Sequence, residues 1–359
     1  MALSIGIVGL PNVGKSTLFN ALTDAEVLAA NYPFATIEPN TGIVPIPDSR
    51  LEKLAKIYKT EKIVPATVQF VDIAGLVAGA SKGEGLGNQF LSHIRSTNAI
   101  CQVVRTFSDS NVQHVSGTPD PKRDTEIINT ELILADLQTV DNRLPRLEKE
   151  ARADPKLQPV LQILNRVKEG LDSGKLAGSI IDKDELEIIS DLQLLTAKPF
   201  IIVYNLSEDQ LSNNQLKADL QTSAGPYPAI FLCAKLESEL RGLDGADRQE
   251  LLESYGQTES GLNQLVHAAY NALGLQSFLT AGPKEVRAWT IPIGATAPQA
   301  AGVIHTDFER GFIAAQVVNY TDFIAAGSEV AARAAGKIRT EGKTYIMQPD
   351  DVVEFRFNV

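Results

Sequence analysis

Gly9-Leu10-Pro11-Asn12-Val13-Gly14-Lys15-Ser16 puts two glycines, a lysine and a hydroxyl at the spacing that wraps backbone around a phosphate. Glycines allow the sharp turn through which successive amides converge on phosphate oxygens, at the start of a helix whose dipole favours an anion. Lys15 would supply a point charge to the outer phosphates, making it a catalytic as well as a binding residue, and the Ser16 hydroxyl would ligate Mg²⁺. Asn12, Val13, Gly14 and Thr17 complete the expected cradle. A Gly-rich turn with no ligand is the plainer alternative. The flanking residues argue against it: apolar Ile5-Gly6-Ile7-Val8 leads in as a strand, and Thr17–Leu22 leads out as a helix.

Such a loop serves many ATPases and GTPases, so later segments must narrow the reading. Asn31–Pro39 is broken by prolines and reads as a loop, in which the Thr36 hydroxyl could join Ser16 on the metal. The strand Thr67–Val71 ends at Asp72, and an acid at the tip of a parallel strand beside a phosphate loop suits a metal-bound water. Gly75 can give its amide to a γ-phosphate, and the Gly-rich run from Val77 to Gly87 reads as a switch that orders around that group. Leu76 stands where Ras-like enzymes carry a water-orienting Gln. Strands at Phe200–Tyr204 and Ile230–Leu232 lead into Asn205-Leu206-Ser207-Glu208 and Cys233-Ala234, the places of base-recognition loops. In this order the segments define an α/β, Ras-like P-loop nucleotide-hydrolase domain. A guanine site needs Lys at position 206 and Asp at 208. Leu206 offers only apolar contact, and Glu208 is a methylene too long, so ATP is expected over GTP, with GTP a poorer substrate. Restoring Lys and Asp at these two positions should rebuild the guanine fork.

With 359 residues and a net charge of −11, the chain has room for two or three domains and no whole-molecule charge with which to bind nucleic acid non-specifically. No DNA partner is expected. No run approaches a membrane span, no leader precedes Ile5, and Cys101 and Cys233 lie in apolar runs as reduced thiols. The expectation is a cytoplasmic protein.

Between Thr125 and Ala197 the apolar period becomes helical. Leu137, Val140, Leu144 and Leu147, then Leu157, Val160, Leu164, Val167 and Leu171, step by threes and fours. This predicts a coiled-coil-like helical hairpin inserted in the nucleotide domain, with Pro145 kinking or ending its first arm. From Gly274 the chain turns to short strands (Val286–Ile291, Thr344–Met347, Val352–Phe357) around a helix starting at Ala297. The division is 1–124 with 198–274, the insertion 125–197, and a C-terminal domain 275–359.

The stretches Gly6–Asn20, Asn31–Asn40, Val71–Phe90, Val112–Gly117, Glu126–Asp136, Asn205–Glu208 and Gly302–Val359 resemble the YchF/Obg-like ATPase family, within the translation-factor-related class of GTPases. The resemblance implies an OBG-type G domain and an ATP-preferring, Mg²⁺-dependent hydrolase. It also implies ribosome association through ribosomal RNA and protein, and a part in regulating translation or stress response. Its C-terminal block implies a TGS domain of β-grasp fold, from which Pro349-Asp350 departs where the family has Asp-Gly. His114 matches a histidine that the family implicates in hydrolysis; His93, His267 and His305 have no such context. Asn12 suggests a monovalent cation such as K⁺ beside the phosphates, or simply a residue that tolerates a tight turn. A nucleotide-gated binding protein with incidental turnover, or a GTP-using GTPase, remain the alternatives.

Overall fold

The structure, a computed structural model, describes residues 3–23, 40–73, 86–109, 112, 114–115, 117–240 and 242–358. Thr36, Gly75, Leu76 and the switch residues 77–85 lie outside them. The strands among the described residues are β1 (Ser4–Val8), β2 (Thr41–Pro45), β3 (Ile63–Val64), β4 (Thr67–Asp72), β5 (Ala99–Arg105), β6 (Phe200–Asn205), β7 (Ala229–Leu232), β8 (Leu275–Ala281), β9 (Val286–Pro292), β10 (Phe312–Asn319), β11 (Arg339–Glu341) and β12 (Asp351–Phe357). They form two six-stranded sheets. The chain divides into one unit of Met1–Asp24, Thr36–Gly42 and Gln69–Ala269, and a second of Ala25–Ala35, Ile43–Val68 and Tyr270–Val359.

The first sheet runs β2-β4-β1-β5-β6-β7, and β1 pairs in parallel with both β4 and β5. Every residue of β1, β5 and β6 is buried, as expected of strands covered on both faces. Strand β1 therefore stands mid-sheet, and its C-terminal end faces the crevice where open α/β sheets bind ligands. Helix α1 (Lys15–Leu22) follows directly, and α2 (Leu86–Ser96) comes later in the same unit.

Helix α3 (Pro121–Ala153) is capped by Asp120, whose side chain accepts from the Arg123 amide, with Pro121 at the first turn where its missing N–H costs nothing. Its buried stripe of Val140, Leu144, Leu147 and Ala151 packs against Ile163, Leu164, Val167 and Leu171 of α4 (Gln158–Asp172), giving the expected hairpin. Pro145 does not end the first arm: α3 continues eight residues past it. One lost backbone hydrogen bond is outweighed by the buried Leu144, Leu147 and Ala151 on either side. Asp136, wholly buried, anchors the arm. It accepts the amides of Leu195 and Thr196 at 2.8 Å each and the Thr196 hydroxyl at 2.6 Å, just before β6. Short helix α5 (Ala234–Glu239) follows β7.

The second sheet runs β11-β10-β12-β8-β9-β3. A β8–β9 hairpin, the crossing helix α6 (Ala297–Ile304) and a β12 parallel to β8 make the arrangement expected of a β-grasp fold. Ala297, Ala300 and Ala301 on α6 pack with Phe278, Ile291, Val317 and Val353. Thr344–Met347 is not a strand but a single bridge, Thr296 to Ile346, and β10, which follows Gly311, pairs with β12 in the sheet instead. Strand β3 joins by parallel pairing of Ile63 and Val64 with Val286 and Arg287, so residues 43–68 belong with the C-terminal unit, a pairing invisible at that sequence distance.

Candidate nucleotide-binding site

The phosphate loop is held in its curve by two left-handed residues, Asn12 (φ 61°) and Gly14 (φ 98°). At position 14 any side chain would also collide with Asn205, since a Cβ there would lie 2.3 Å from its Nδ2. Asparagine tolerates this region better than most residues, which suits Asn12 to the turn. Lys15 is 8% exposed, and its Nζ donates to the Leu10 carbonyl at 2.8 Å. Burial lowers its pKa to about 8, against the pull of Asp72. The Asp72 carboxyl is raised by burial and partly restored by Lys15 and by the Ser16 hydroxyl within hydrogen-bonding reach. Hydroxyl, carboxylate and lysine thus converge at the tips of β1 and β4. A hard cation with oxygen ligands fits Ser16 and Asp72, and would relieve the burial of the carboxylate. Among the described residues no cluster of three His, Cys, Asp or Glu side chains offers another metal site.

The lowered lysine pKa has a measurable consequence. An anionic ligand binds the charged ammonium, and the free chain loses that proton as pH rises through about 8. Nucleotide affinity should therefore fall above that pH, approaching tenfold per pH unit, with proton uptake on binding. Calorimetry from about pH 7 to about pH 9.5 checks this; the residual affinity of a Lys15→Ala chain should show no such fall.

The loop is braced from two adjacent strand tips. Asn205 donates from Nδ2 to the Val13 carbonyl at 3.0 Å and accepts at Oδ1 from the Ala234 amide at 3.0 Å, joining the phosphate loop to the start of α5. Arg105, 1% exposed, reaches the Asn12 carbonyl at 3.3 Å. A cleft of about 770 Å³ opens here, lined from Asn12 to Thr17, by Phe107 and by 205–209 and 233–235, a size suited to a nucleotide. A cavity of about 640 Å³ lies wholly in the second unit, but its lining of Tyr58, Trp289, Phe308 and Arg333 includes no glycine-rich loop before a helix.

At the far end of the cleft, Glu208 accepts from Lys235 Nζ at 2.8 Å and from the Tyr255 hydroxyl at 3.1 Å, and these two bonds hold its carboxyl below the usual range. Cys233 and Ala234 are buried at the turn into α5, and burial raises the Cys233 thiol. Leu206 is wholly buried in a cluster with Val104, Ile202, Tyr204 and Leu211. Leu206 also lines the cleft, so a Lys placed there to rebuild a guanine fork would carry its ammonium past this apolar cluster. Leu206→Lys should lower the unfolding free energy by about 3 kcal/mol or more in denaturant titration. An unchanged midpoint would show that the side chain escapes to solvent.

His114 does not line the cleft in this structure. It is 3% exposed, with Nε2 2.9 Å from the Asp124 Oδ2 in the first turn of α3. Sequence inspection missed Asp124, Arg105, Lys235 and Tyr255. Of these only Arg105, a charge closing an apolar run, carries a local signal that could have found it.

Fold and cleft define a P-loop nucleotide hydrolase of the GTPase type. A family profile described as "50S ribosome-binding GTPase" matches residues 4–166, and the YchF GTPase C-terminal profile, described as "Protein of unknown function", matches residues 275–358. The chain is 52% identical over 366 residues to the ribosome-binding ATPase YchF of Bacillus subtilis (strain 168), with 100% of both chains covered. It is 50% identical over 363 residues to the protein of that name in Escherichia coli O157:H7, again covering both chains completely. The solved structure of the Schizosaccharomyces pombe YchF GTPase superposes with a TM-score of 0.87 at 39% identity, covering 99% of this chain and 97% of that one. The chain belongs to the YchF family.

Proposed function

We propose that this chain is a Mg²⁺-dependent ATPase, with GTP a poorer substrate, that binds ribosomes in a nucleotide-dependent way in the cytoplasm and so takes part in regulating translation or stress response. The names of its relatives in Bacillus subtilis and Escherichia coli O157:H7, both ribosome-binding ATPases, support a ribosomal partner, which this chain would contact through RNA and protein together. The base preference rests on one observation: both oxygens of the Glu208 carboxylate already accept, from Lys235 and Tyr255. Guanine's N1–H and 2-amino donors would have to displace those bonds, whereas adenine asks for no such acceptor. Ser16, Thr36 and Asp72 would hold the metal, which when bound neutralises charge on the outer phosphates. Asn12 to Thr17 and Gly75 cradle the phosphates, and Lys15 binds them. Asn205, Leu206, Glu208, Cys233 and Ala234 surround the base. His114 positions the attacking water in place of a glutamine. The helical insertion and the C-terminal TGS domain are the surfaces left for partners.

Titrating the full chain with ATP and GTP, each with Mg²⁺ or with chelator, tests base and metal together, and co-sedimentation with ribosomes at each nucleotide tests the partner. Equal affinities for ATP and GTP, or ribosome binding indifferent to nucleotide, would refute the corresponding part. The placement of His114 against Asp124 favours a second reading, a nucleotide-gated binding protein whose turnover is incidental. Single-turnover hydrolysis with and without ribosomes separates the two: a rate that stays negligible in both supports the second.

A further inference from the structure

Arg105 and Asn205 are register partners at the tips of β5 and β6, and they grip consecutive carbonyls of the phosphate loop, those of Asn12 and Val13. In a trans peptide the carbonyl and the following amide point in opposite directions. Holding the Asn12 and Val13 carbonyls therefore sets the direction of the Val13 and Gly14 amides, two of the donors a phosphate needs. Arg105 does more than this. Its Nε donates to the Phe107 carbonyl at 2.8 Å, and the Nη1 that reaches Asn12 also reaches the Val112 carbonyl, at 3.1 Å, two residues before His114. The guanidinium carbon lies 4.8 Å from the Phe107 ring centroid. Among the described residues no carboxylate stands within ion-pair distance of Arg105, although it is 1% exposed. A buried charge satisfied only by backbone carbonyls is costly unless several converge on it, and a planar guanidinium can serve all three where an ammonium on a flexible stem cannot.

We infer that Arg105 is a positioning residue that ties the phosphate loop to the segment carrying His114, so that nucleotide in the loop and the placement of that histidine are energetically coupled. This rests on the reading of the cleft as the nucleotide site and of His114 as its water-positioning group. Arg105 touches no reacting atom; it acts through the peptides it holds.

The test is a double-mutant cycle on the full chain, R105K with H114A, read by single-turnover ATP hydrolysis at saturating nucleotide and by affinity for a non-hydrolysable ATP analogue. In the parent, R105K should slow hydrolysis by roughly 10–100-fold, but by less than about twofold when His114 is already Ala, because the lost function passes through that residue. Affinity for the analogue should fall by roughly 5–30-fold in both backgrounds, reporting the phosphate-loop arm alone. A merely structural arginine would cost the same rate factor with and without His114, and that result overturns the coupling. Unchanged analogue affinity overturns the phosphate-loop arm. An H114A chain that hydrolyses at the parental rate overturns the reading of His114 and this inference with it, whereas a slow H114A chain with additive R105K overturns this inference alone. If R105K does not fold, R105Q, which keeps an amide donor without the charge, takes its place in the cycle. Loss of the fold in both marks Arg105 as a core residue and overturns the proposal.

Discussion

Replacing Lys15 with Ala should abolish tight nucleotide binding while leaving the fold intact. The ammonium is the one side-chain cation that β1 and α1 bring into the phosphate loop itself, and it is held there by the Leu10 carbonyl at 2.8 Å. Charge-assisted bonds to phosphate are each worth about 1.5–3 kcal/mol, so losing them should raise the dissociation constant by roughly 10–100-fold or more. Stability should change little, because burial works against the charged form of this lysine and its removal relieves that cost. Calorimetric titration beside a thermal melt checks both halves. Parental affinity in a chain that melts normally would mean that the loop does not bind phosphate.

The second large effect is expected at His114. Its replacement by Ala should slow single-turnover ATP hydrolysis by roughly 10²–10⁴-fold, the usual scale for lost acid–base or water-positioning help, with nucleotide affinity nearly unchanged. The imidazole lies 2.9 Å from the Asp124 carboxylate, both side chains being 1% exposed. A carboxylate in that position selects the tautomer and orientation of a histidine, so Asp124→Asn should slow hydrolysis in the same direction while keeping the packing. His114→Ala also removes one of the two partners of a buried carboxylate, which keeps only Arg123 at 3.4 Å, and should cost about 1–3 kcal/mol of stability, which a denaturant titration separates from the rate effect. A parental single-turnover rate in the Ala variant would remove His114 from the mechanism and leave a group supplied by a partner as the source of catalysis.

The phosphate loop was legible because its chemistry is local: Gly9, Gly14, Lys15 and Ser16 act within eight consecutive residues, between a strand and a helix of opposite periodicity. The parallel strands were legible as continuous apolar runs, and α3 and α4 as runs with a 3.6-residue period. Asp72 was legible by its place at the end of the alternating strand Thr67–Val71. Local signals can also mislead. Pro145 reads by itself as a helix kink or end, and helix α3 runs on past it with buried leucine and alanine side chains on either side.

What the chain determined alone, then, was the strands that carry the cleft, the helical arms and each contiguous motif, since propensity, apolar period and turn chemistry act over a few residues. Tertiary structure decided which polar groups meet. Asn205 with the Val13 carbonyl, Arg105 with Asn12 and Val112, Glu208 with Lys235 and Tyr255, Asp136 with Thr196, and β3 with β9 are partners brought together by sheet order and packing. None has a signature in sequence, because a hydrogen bond is set by distance and direction in space. A polar residue at a strand tip carries no mark of the loop it will hold until β1, β5 and β6 lie side by side.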